Sequence, residues 1–261
     1  MTEKKILYLS KADVNAVGLS TAEVIELLET AFEEKGHGRV EIPPKPGIHP
    51  GGGDNFIHAM PAYIPALGSA GIKWVSGFPD NAKKGLPYIS GLLILNDPET
   101  GIPLAVMDCE WITGMRTAAA SAVSARRLAR PESSTLGVLG CGLQGFTNTE
   151  ALNVDFPIEE VFAYDLSKKS LAIYTEKVEK LGLKVTIVDT PEKAVKGCDL
   201  VVTAGPILKE PHKTIQASWL EKGAFASLVD FDSYWHPDAL KEFDKFCTDD
   251  HAQFQHYIEV G

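Results

Sequence analysis

Apolar positions along the chain follow two different rhythms. Ser20-Thr21-Ala22-Glu23 has the form of a capping box, and Val24, Leu27, Leu28, Ala31 and Phe32 then recur at helical spacing until Gly36. An amphipathic helix is predicted there. Residues 38–53 are rich in Gly and Pro, with Arg39 and Lys45 among them, which predicts an irregular loop of the kind that borders sites. Short apolar runs at 56–60, 70–75, 89–95 and 104–107, separated by Pro, Gly and Asn, predict an antiparallel sheet. Its clearest hairpin turns at Asn96-Asp97-Pro98-Glu99-Thr100-Gly101, because Asp-Pro opens turns and Gly tolerates positive φ. Residues 110–128 predict an Ala-rich helix whose small side chains allow close approach to a neighbour, ending at Arg130-Pro131.

After Pro131 the rhythm becomes strand, helix, strand. Strands are predicted at 135–139, 161–164, 185–188 and 200–203, and helices at 146–153, 168–181 and 191–195. Two further strands, 224–229 and 246–248, flank a short helix at 237–242. Alternation of this kind predicts a parallel, doubly wound α/β sheet over residues 131–261, preceded by an α+β domain with an antiparallel sheet over residues 1–130.

Leu136-Gly137-Val138-Leu139 runs into Gly140-Cys141-Gly142-Leu143-Gln144-Gly145 and then a helix, the GxGxxG pattern in the strand-turn-helix context that gives it meaning. Gly140 permits the tight turn, Gly142 removes a side chain where a pyrophosphate would approach, and Gly145 lets helix and strand pack closely. Helix N–H groups at Leu143 and Gln144 are left to hold the anion. About 20 residues on, Val161-Phe162-Ala163-Tyr164 ends at Asp165, where a carboxylate can accept both ribose hydroxyls. The second domain is thus read as Rossmann-type with NAD(H) as cofactor. NADP(H) is disfavoured, since Asp165 repels a 2′-phosphate, although Lys168 and Lys169 lie nearby.

Composition narrows the partners. With 44% hydrophobic and 23% charged residues the chain is globular, and a formal charge of -10 repels phosphate backbones and anionic lipid headgroups, so nucleic acid and membrane are excluded as partners. No apolar run approaches the roughly 18 residues of a spanning helix, and the first residues lack a signal segment, so a cytoplasmic location is expected. Cys109, Cys141, Cys198 and Cys247 form no CxxC pair and are read as reduced thiols packed as small hydrophobes. His49, His212, His236, His251 and His256 have no ligand spacing, and no metal is expected.

With these residues in view the chain resembles the ornithine cyclodeaminase/μ-crystallin family, which includes alanine dehydrogenases and ketimine reductases. The resemblance is carried by Met60-Pro61, Lys73-Trp74-Val75, Gly91 through Asp97 with Thr100-Gly101, Pro103-Leu104-Ala105, Arg116-Thr117-Ala118-Ala119, the glycine motif with Gln144, and Asp232. It implies that the N-terminal domain binds substrate and forms a homodimer, and that hydride moves between nicotinamide and the Cα of a small amino acid or its imine. Arg116 resembles the arginine that binds the substrate carboxylate, and Lys73 the lysine that shares it near the reacting carbon. The chemistry agrees: a guanidinium amid alanines needs an anion, and an ammonium inside an apolar strand is costly without a partner. Thr117 is matched to a cofactor-phosphate contact, Met60 to the substrate site, and Asp232 to the aspartate that exchanges a proton with the substrate amine, with Asp230 a nearby second candidate.

Three departures from the family pattern bear on substrate. Lys45 aligns with a position usually held by arginine, offering a point charge in place of a planar fork. His58 stands where cyclodeaminases carry a glutamate that recognises a distal amine, which disfavours ornithine. Ser233-Tyr234-Trp235-His236 replaces a small-residue turn, suggesting an aromatic, more apolar pocket. The family also continues beyond the position of Gly261 into a segment that returns to the N-terminal domain, and that return is expected to be absent here. Two other readings stay open: a cofactor-dependent ligand-binding protein with little catalysis, for which Tyr234 and Trp235 suit an aromatic ligand, and an accessory subunit in amine metabolism.

Overall fold

The computed structural model describes residues 5–208 and 210–260. One sheet comes first: β1 (Leu7–Leu9), β2 (Gly47–Ile48), β3 (Phe56–Ile64), β4 (Ser69–Gly77), β5 (Ile89–Asn96) and β6 (Pro103–Asp108) form it in the order β1-β6-β5-β4-β3-β2. Neighbours from β2 to β6 are antiparallel, as the alternating runs predict, whereas β1 joins β6 in parallel. The predicted turn is formed by Asp97, whose Oδ1 accepts the N–H groups of Glu99 and Thr100, and by Gly101 at φ 71°. Helix α1 (Lys11–Ala16), which the sequence reading lacked, is closed by a second capping box between Ser10 and Asp13. Helix α2 (Thr21–Gly36) begins at the predicted Ser20–Glu23 box and buries Val24 and Ile25.

The second sheet contains β7 (Thr135–Leu139), β8 (Glu160–Tyr164), β9 (Lys184–Ile187), β10 (Leu200–Thr203) and β11 (Phe225–Leu228), all parallel, in the order β11-β10-β7-β8-β9. Helices α3 (Glu110–Leu128), α4 (Leu143–Asp155), α5 (Lys168–Glu179), α6 (Pro191–Val195) and α7 (Pro237–Lys241) accompany it. Alternation along the strands feeds two cores: Leu136, Val138, Val161, Ala163, Leu200 and Val202 join one cluster, and Leu139 and Val201 join another with Trp235. This is the doubly wound, Rossmann-type arrangement expected from the sequence.

Residues pack into two compact units, one of 5–19, 29–113 and 247–260, the other of 20–28, 114–208 and 210–246. The division predicted at residue 130 falls instead inside α3, after Thr113. The reason is burial: Ala118, Ala119, Ala122 and Ala125 are 0–1% exposed, and Ala125 belongs to the core of Leu136 and Val138. The predicted strand at 246–248 is not formed. Phe246 is 62% exposed, and Asp244, Lys245, Asp249 and Asp250 leave too short an apolar run for a parallel strand.

The first unit also takes in residues 247–260. Helix α8 (His251–Val260) belongs to that unit. Lys35 Nζ donates to the Asp249 carbonyl and the Asp250 carboxylate, each at 2.7 Å, and Gln253 Oε1 accepts the Lys45 N–H at 2.9 Å. No helix among the described residues is long and apolar enough to cross a membrane.

Candidate active site

In the second unit the candidate residues gather at the C-terminal edge of the parallel strands, where ligands of such sheets bind. The turn after β7 carries the three glycines, and each is there for a different reason. Gly140 has φ 96°, and a Cβ on it would press on the Ala204 carbonyl oxygen at 2.5 Å. A Cβ on Gly145 would run into the Gly140 carbonyl. Gly142 has φ -83°, and a Cβ there would meet no protein atom within 4 Å. Nothing within the chain demands glycine at 142, yet the position opens directly at the N-terminus of α4. An anion approaching the backbone there supplies the missing reason, so these residues fit a dinucleotide pyrophosphate.

Asp165 leaves β8 beside this turn. Its Oδ2 accepts the Cys141 N–H and its Oδ1 the Ser167 N–H, both at 2.7 Å, so the carboxylate is held by backbone donors. That qualifies the expectation of two ribose hydroxyls, though each oxygen keeps a further lone pair for one. Leu166 is 90% exposed, and Lys168 and Lys169 begin α5 at the surface. Burial, with a smaller contribution from Asp165, pushes the Cys141 thiol up to about 12, so this cysteine is inert beside the turn.

Helix α3 brings Arg116 and Thr117 to the same edge. Gly114 packs against Leu143 and Thr147 of α4, Ser121 Oγ lies 2.7 Å from Ser227 Oγ of β11, and Arg130 pairs with Asp199 at the start of β10. The helix therefore runs antiparallel to the strands, and its half-buried Arg116 and Thr117 sit near the start of α4.

The two aspartates after β11 have separate environments. Asp232 is exposed, while Asp230 is 1% exposed, with Oδ1 accepting from the Thr203 hydroxyl at 2.6 Å and Oδ2 from the Gly205 N–H at 2.8 Å. Burial pushes the Asp230 carboxyl up to about 7 against those hydrogen bonds. Trp235 does not line a pocket as expected, and Tyr234 is half-buried with its ring against Gly205. Trp235 is 1% exposed in the core with its indole N–H on Thr203 Oγ1 at 3.1 Å, and the Tyr234 hydroxyl donates to the Pro206 carbonyl at 3.1 Å. An aromatic residue after a strand end reads equally well as lining or as core, and only packing separates the two.

In the first unit β3 and β4 place three predicted residues on one face. Met60 pairs directly with Lys73, and His58 with Val75, so the period-two alternation turns His58, Met60, Lys73 and Val75 the same way. Lys73 is 9% exposed and donates to Thr113 Oγ1 at 3.4 Å, a partner the sequence reading did not name. His58 stacks on Phe56 with ring centroids 4.5 Å apart, and Gly47 opposite it is glycine because a Cβ would overlap the imidazole. Burial, followed by the charges of Lys45, His49 and Lys73, takes the His58 imidazole down to about 4. It is neutral at physiological pH and stands in a positive field. Cys109 is buried in this unit and Cys198 in the other, whereas Cys247 is exposed, against the expectation that all four pack inside.

The profile of the ornithine cyclodeaminase/mu-crystallin family matches residues 4–261. The chain is 36% identical over 253 residues to nodulation efficiency protein NfeD of Rhizobium meliloti, spanning 97% of this chain and 78% of that protein. It is 36% identical over 258 residues to alanine dehydrogenase of Archaeoglobus fulgidus, spanning 98% and 77%. Among solved structures, Thermococcus litoralis Delta(1)-pyrroline-2-carboxylate reductase in complex with NADH and L-proline is similar with a TM-score of 0.80 at 35% identity, covering 85% of this chain and 68% of that one.

Proposed function

The chain belongs to the ornithine cyclodeaminase/mu-crystallin family, and from that premise we propose that it is an NAD(H)-dependent oxidoreductase acting at the Cα of a small amino acid or of the corresponding imine. The observation that carries this reading is Gly142, a glycine that neither its own backbone nor its neighbours require, at the mouth of a parallel-strand turn. A bound dinucleotide would supply or accept hydride. Gly140, Gly142, Leu143, Gln144 and Gly145 would hold its phosphates, Thr117 on α3 would add a hydroxyl, and the lone pairs left on Asp165 would be open to a ribose hydroxyl.

The chain's own residues fix the substrate and move a proton. Arg116 presents two parallel donors to the α-carboxylate, and Lys73 contributes a second cation, so the amino acid is oriented by its charged end. Lys45, its N–H fixed by Gln253, supports that clamp, and Met60 adds apolar contact beside Lys73. Asp232, exposed after β11, exchanges a proton with the substrate nitrogen as the imine forms or is reduced. A neutral His58 among positive charges does not attract a distal ammonium, which favours a dehydrogenase or imine reductase over cyclodeamination of a diamino acid. We read the assembly as a homodimer: Ile48, Ile57, Ala59 and Trp74 border an apolar hollow of about 220 Å³ on the outer face of the first unit's sheet, with Ile48 58% and Trp74 49% exposed.

The test is a fluorescence titration with NADH and NADPH, followed by a panel of L-amino acids and cyclic imines with nicotinamide absorbance and ammonia both recorded. Net change in the nicotinamide supports the proposal, and ammonia release without it points to a cyclodeaminase. Cofactor binding with neither signal points to a binding protein. Asp232→Asn should bind NADH as the wild type does and lose most turnover; full turnover in that variant removes Asp232 from the chemistry.

A further inference from the structure

The strand order of the second unit reverses where β7 and β10 lie side by side, and the loops leaving these strands, 140–142 and 204–206, flank that point. They touch. A Cβ on Gly140 would meet the Ala204 carbonyl oxygen at 2.5 Å and the Gly205 nitrogen at 2.8 Å. Where the second loop rests therefore determines the room available at the first.

That second loop is fastened by side chains from one short stretch. Asp230 accepts the Gly205 N–H at 2.8 Å, Tyr234 donates to the Pro206 carbonyl at 3.1 Å, and Ser233 Oγ accepts the Leu208 N–H at 2.9 Å while donating to the Asp230 carbonyl at 2.6 Å. Behind Asp230 the protons have a fixed direction. The Trp235 indole N–H is a donor only and reaches Thr203 Oγ1, so the Thr203 hydroxyl sends its own proton to Asp230 Oδ1. Asp230, Thr203 and Trp235 are 1%, 0% and 1% exposed. A carboxylate in such a place is expensive to keep, and an apolar side chain would fill the space without that penalty.

We propose that Asp230 is a positioning residue of the dinucleotide site: through one oxygen it fixes Gly205, through the other it is anchored on Thr203 and Trp235, and it thereby holds the 204–206 loop against Gly140. This rests on the dinucleotide-binding reading above. Asp230 touches no reacting atom and leaves proton exchange to Asp232. Its contribution is to the shape of the cradle before any ligand arrives.

The experiment is NADH binding by fluorescence for the wild type, Asp230→Asn, Thr203→Val and Thr203→Ser, with thermal unfolding of each dinucleotide-free protein measured alongside. An amide at 230 accepts from only one of the two donors, because its other end is itself a donor. At a temperature where every variant is folded, Asp230→Asn and Thr203→Val should raise the NADH Kd about tenfold, the size of one hydrogen bond to a charged group. Thr203→Ser keeps the hydroxyl and should stay within about twofold of the wild type. A merely structural role lowers the unfolding temperature and leaves the Kd in place, and that result overturns the proposal. If Asp230→Asn does not fold, the two Thr203 variants decide the question by the same comparison. A wild type that binds no NADH refutes the dinucleotide reading, whatever Asp230 does, and this inference falls with it.

Discussion

Gly145 and Gly140 are in such close approach that a Cβ on Gly145 would overlap the Gly140 carbonyl, while Gly142 between them faces open space. The same motif therefore holds glycines of two kinds. Gly145→Ala should lower the unfolding temperature by several degrees, because backbone would have to shift. Gly142→Ala should leave unfolding unchanged and weaken NADH binding by about tenfold or more, since only the ligand needs that space. Thermal unfolding and fluorescence titration of the two variants separate the roles.

Lys73 sets function against stability. An ammonium that is 9% exposed inside a strand is costly to desolvate, and methionine fills nearly the same volume. Lys73→Met should unfold at a temperature no lower than the wild type, while kcat/KM falls by about a hundredfold or more as the carboxylate loses a charged partner. NADH affinity, measured in the absence of substrate, should not change.

His58 is predicted to govern the choice between mono- and diamino acids. The neutral ring stands among Lys45, His49 and Lys73, so no attraction for a distal ammonium exists. His58→Glu should shift the kcat/KM ratio of ornithine to alanine toward ornithine by about tenfold, equivalent to one charge-assisted hydrogen bond. An unchanged ratio would remove His58 from the specificity site.

Asp230 also makes a prediction about pH. Its carboxyl titrates near 7 in the folded protein against an ordinary value of 3.8, so the folded state binds the extra proton between these limits. The stability this confers is fully present below about pH 4 and is lost as pH rises toward 7. His58, lowered to about 4, acts in the opposite sense over part of that window, its stability being lost as pH falls. Comparison with Asp230→Asn cancels the His58 contribution. The stability of the wild type relative to that variant should decline by on the order of 1 kcal/mol per pH unit across the window and level off above it. Denaturant unfolding over this pH range checks the slope.

The sequence by itself determined the elements and the chemistry of the glycine turn. Local rules act within a few residues: the Ser20–Glu23 box starts α2, Asp97 and Gly101 close the hairpin, and Gly140 to Gly145 open α4 after β7. Period-two alternation likewise turns His58 and Met60 to one face of β3, but that Lys73 of β4 joins them is decided by the register between the two strands. What only the tertiary structure decided lies between distant segments. The division of the chain falls within α3, whose Ala125 packs into the core of Leu136 and Val138, and no helix periodicity carries that information. The C-terminal residues rejoin the first unit through Lys35 and Gln253, contacts that span more than 200 positions. The two aspartates that sequence left as alternatives are separated by solvent alone: Asp232 is exposed and Asp230 is closed over by Thr203, Gly205 and Trp235. Desolvation is a property of everything packed around a group, so it becomes legible only once the chain has folded.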